Sequence, residues 1–91
     1  MGIEKILFKS EEKKSAADIA NTLRLIADKI DSGGMTLKQG ETNVEIEFPG
    51  AMKFELKVEE EQGRHQLKKS FEVELEWVPG EEESSRGADI L

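Results

Sequence analysis

Residues 15–34, SAADIANTLRLIADKIDSGG, decide the fold. Ala16, Ile19, Ala20, Leu23, Ile26, Ala27 and Ile30 recur here at spacings of 3, 1, 3, 3, 1 and 3. That is one stripe at 3.6 residues per turn, and it predicts an amphipathic helix from 16 to about 31. Ser15 three residues ahead of Asp18 suits a helix start, with the hydroxyl accepting from an orphan amide and the carboxylate at the positive end. Gly33 and Gly34 can take positive φ and so stop the helix. Leu25 falls on the polar side, beside Asn21 and Lys29, where one exposed leucine is ordinary and a partner contact is the functional alternative.

Beyond the glycines the hydrophobic period changes from 3.6 to 2. Met35 and Leu37, then Val44, Ile46 and Phe48 after a turn at Gly40, predict two strands of a hairpin. Pro49-Gly50 signals a further turn, after which Phe54, Leu56 and Val58 alternate with charged residues. Residues 60–69 are polar and contain Gly63, so they read as a hairpin loop leading to Phe71, Val73, Leu75 and Trp77. Upstream of the helix, residues 3–8 predict a first strand. Ile6 and Phe8 point one way and Ile3 and Leu7 the other, so both of its faces are apolar. Such a strand sits deep in a sheet or offers a sticky patch for weak homodimer formation.

A sheet with one apolar face needs cover, and the helical stripe is the complementary surface. The expected fold is α+β: a two-layer β-α-β-β-β-β arrangement, with one helix packed on a mainly antiparallel five-stranded sheet. Ile19, Leu23 and Ile30 would face that sheet. Periodicity leaves open whether the first strand lies beside the second or closes against the fifth. Trp77, on the inward parity, is expected to plug the sheet and the helix end. The 91 residues hold one domain, expected at 1–78, and residues 79–91, with a net charge of −3 and a Pro-Gly-Glu-Glu-Glu-Ser-Ser start, are expected to form a disordered acidic tail.

Composition narrows the chemistry. No cysteine is present, which excludes disulfides, thiolate metal sites and cysteine nucleophiles. The longest apolar runs are three residues, far below the roughly 20 that span a bilayer, so no membrane role and a cytoplasmic location are expected. A net charge of −7 repels phosphate backbones, and nucleic acid is not expected as a partner. The lysines near the helix start and around the second hairpin lack the interleaved aromatics of a nucleic-acid platform.

The order and spacing of several short motifs resemble the small family called the amphi-Trp domain. They are Ile6-Leu7-Phe8 followed by Ser10-Glu11, Leu23-Arg24 through Ile26-Ala27-Asp28-Lys29-Ile30 with Ser32-Gly33, and Glu74-Leu75-Glu76-Trp77. The resemblance covers about residues 3–78. It supports the fold and implies no activity and no catalytic residues.

His65 is the only histidine, set in a polar loop between Arg64 and Gln66, and no nucleophilic triad can be assembled around it. No cofactor and no metal ligand set are expected. The distinctive feature is the outward sheet face, where Glu45, Glu47, Glu55, Glu59, Glu72, Glu74 and Glu76 accompany Lys53 and Lys57 for a net −5. A solvated face that keeps sheets apart would explain it. The functional alternatives are a docking surface for a protein partner of basic character, and a weak site for hard divalent cations. Paired acid–base catalysis fits poorly, because glutamates in open water lack the cleft that raises one of them. The function expected is that of a small non-enzymatic protein-interaction module. The alternative is a metal-dependent or carboxylate-using protein acting through the acidic face.

Overall fold

The computed structural model describes residues 2–80. The chain divides into two compact units, Met1–Phe48 and Pro49–Leu91. The first holds helix α1 (Ala16–Ser32) and strands β1 (Gly34–Gln39) and β2 (Thr42–Glu47). The second holds β3 (Lys53–Gln62) and β4 (Leu67–Glu76). The class is α+β, but the strands form two separate two-stranded antiparallel sheets, β1–β2 and β3–β4, rather than one sheet of five.

The helix is specified at both ends. The Ser15 backbone is extended, and its hydroxyl accepts from the Asp18 amide at 3.1 Å, one of the donors that a helix start leaves unpaired. At the other end Gly33 takes a φ of 95°, and its amide donates to the carbonyls of Lys29 at 3.0 Å and Ile30 at 3.1 Å. This left-handed cap is cheap for glycine and strained for other residues. The chain passes straight from Gly33 into β1, and α1 neighbours that strand.

In the first hairpin Met35 pairs with Ile46 and Leu37 with Val44, which puts the expected apolar residues on one face. All four are half-buried. Gly40, at a φ of 59°, opens the two-residue turn that joins the strands, the position where type II′ turns require glycine. The Phe48 amide donates to the Gly33 carbonyl at 2.9 Å and extends the ladder past the end of β2.

Three expectations are corrected. Residues 3–8 form no strand, and Ile3 is 98% exposed. The β preference of Ile and Phe is a preference for a pleated, half-covered surface, and with no paired edge this segment has nothing to hold it extended. The expected five-stranded sheet is also absent, since β2 pairs with β1 and β3 with β4. Between β2 and β3 lie five residues around Pro49-Gly50. Pro49 has no amide to donate, and Gly50 is not among the glycines with positive φ, so the primed turn that a tight hairpin needs is not made there. The third correction concerns the stripe: Ala20, Ile26 and Ile30 are half-buried, but Ile19 and Leu23 are 46% and 50% exposed. None of the described residues is buried. Trp77 follows the last residue of β4 and is half-buried.

The second hairpin is longer than its apolar pattern, because its polar ends pair by charge. Glu60 faces Lys69 and Glu61 faces Lys68 across the strands, and such opposite-charge pairs stabilise a ladder. The loop shrinks to residues 63–66, closed by the Gly63 amide donating to the Gln66 carbonyl at 2.8 Å. The expected tail lies at 79–91, and residues 81–91 are outside the described residues. Among the described residues no helix is long and apolar enough to cross a membrane.

The two helix caps give a direct check. Ser15→Ala is expected to lower stability by about 1 kcal/mol through loss of the N-cap acceptor. Gly33→Ala is expected to cost roughly 1–2 kcal/mol for forcing a Cβ into the left-handed region, with Gly33→Asn recovering part of the loss. Thermal melts followed by helical circular dichroism measure both.

Candidate functional site

Five of the seven expected glutamates come together on one surface, the face of β3–β4 opposite its apolar side chains. The register places Lys53 across from Glu76, Glu55 from Glu74, Lys57 from Glu72 and Glu59 from Ser70. Glu45 and Glu47 belong to β2 in the first unit, where they face Thr36 and Gly34. Glu61 and Lys68 extend the β3–β4 face beyond the residues expected from sequence. The signal was present in the sequence as mirror-image charges, Glu60-Glu61 before Gly63 and Lys68-Lys69 after it.

The lysines on this face are spread between carboxylates. Lys57 Nζ lies 3.9 Å from both a Glu59 and a Glu72 oxygen, and Lys53 Nζ lies 3.8 Å from Glu76. Long, exposed ion pairs of this kind contribute little to stability. The tighter pair is Lys69 with Glu60, at 3.3 Å on the other face.

The pair without a cation between its members is Glu55 and Glu74. A hydrogen bond to Glu55 holds the Glu74 carboxyl above its ordinary pKa, and the Glu55 charge adds to this. Desolvation and Glu76 push the same way, while Lys53 opposes them. The cause is geometric, because carboxylates directly across a strand pair repel unless a proton is shared. These two glutamates, with Lys57 and Glu72, line a surface depression of about 100 Å³.

His65 sits in the 63–66 loop, exposed, where with Glu61, Gly63, Arg64, Gln66 and Lys68 it lines a hollow of about 490 Å³. Ile3, Leu7 and Leu25, the expected self-association residues, are all exposed. What sequence reasoning missed is a second open apolar surface. Phe54, Leu56, Val58, Phe71 and Val73, expected to be covered, are exposed on the β3–β4 face that backs the glutamates. Among the described residues no group of three or more His, Asp or Glu is placed to hold a metal ion.

The family model for the Amphi-Trp domain matches residues 1–90, running past the 3–78 stretch that carries the sequence motifs. No curated protein and no solved structure matches the chain.

Glu74 sets a pH dependence whose sign follows from linkage. Its pKa is raised on folding, so the folded hairpin holds this proton more tightly than the unfolded chain. Stability is then gained as pH falls through the raised pKa and lost as pH rises through it. Glu74→Gln is therefore expected to raise the melting midpoint at neutral pH. The gain should vanish below the ordinary carboxylate range, where both side chains are neutral. Melts across that pH series check it.

Proposed function

This chain belongs to the Amphi-Trp domain family, and we propose that it acts as a small, non-enzymatic protein-interaction module of the cytoplasm whose β3–β4 glutamate face docks a basic partner. One observation carries the reading: Glu55 and Glu74 stand directly opposite each other in register, with the Glu74 pKa raised as a result. An ammonium or guanidinium group entering between them would remove the repulsion between the two carboxylates. Lys57 and Glu72 border the same depression. The surface suits a partner's lysine or arginine side chain better than a small molecule, because it is shallow, charged and open to water.

The second reading, a cation- or carboxylate-using protein, draws on the same pair of glutamates. Hard divalent cations take six or more oxygen ligands, a denser donor set than two facing carboxylates provide.

Titration with an oligolysine peptide, followed by amide chemical shifts, tests the proposal. Localised shifts are expected at Glu55, Glu72 and Glu74, weakening with added salt and lost in the Glu55→Gln/Glu74→Gln double variant. Shifts that scatter over the surface, or that survive the double variant, would remove the docking site. Magnesium titrated in parallel separates the second reading, which requires saturable shifts at the same amides without peptide.

A further inference from the structure

We draw no further inference here: the strongest candidate, the exposed apolar face of the β3–β4 hairpin formed by Phe54, Leu56, Val58, Phe71 and Val73, carries nothing because nothing in the structure shows what covers it.

Discussion

The antiparallel register that sets Phe54 across from Leu75 and Glu55 across from Glu74 governs the whole second unit. Side chains alternate along a strand with a period of two, so one register assigns every residue of β3 and β4 to a face. A slip of one residue would turn Phe54, Leu56 and Val58 against the glutamates of β4. The far end of the hairpin guards against that slip. Glu60 with Lys69 and Glu61 with Lys68 are matched in the observed register, and a slip of one residue leaves only one pair of opposite charges among these four residues. The same polar residues that lengthen the hairpin therefore pin it.

Local chemistry plays the corresponding part in the first unit. Ser15 and Gly33 fix where α1 starts and stops, and Gly40 fixes where β1 turns back to β2. These devices require contacts only a few residues away along the chain. They were legible for that reason, as were the stripe over 16–30 and the alternation in each hairpin. The paired strands of both hairpins and the five glutamates on one face of β3–β4 follow from the same period-of-two reading.

What was not legible depended on contacts distant in sequence. Residues 3–8 have the composition of a strand, but composition does not supply an edge to pair with, and Ile3 and Leu7 remain open. Pro49-Gly50 signals a turn because both residues favour turns. Yet turn formation and strand pairing are separate conditions, and the absent proline amide with Gly50 outside the positive-φ region meets only the first. The half-open Ile19 and Leu23 make the same point, since a stripe states which side of a helix is apolar and leaves its cover unstated. The loop boundary failed for a different reason. Hydrophobic alternation ends at Val58, while the ladder continues to Gln62 on charge pairs that a hydrophobicity count does not register.

The two faces of β3–β4 place opposite demands on their surroundings. On one, Glu55 and Glu74 repel each other and the Glu74 pKa is raised; on the other, six apolar side chains stand 45–75% open to water. Neither condition is resolved within the hairpin, because relieving the first requires a positive charge and relieving the second requires apolar cover, and no single ligand supplies both.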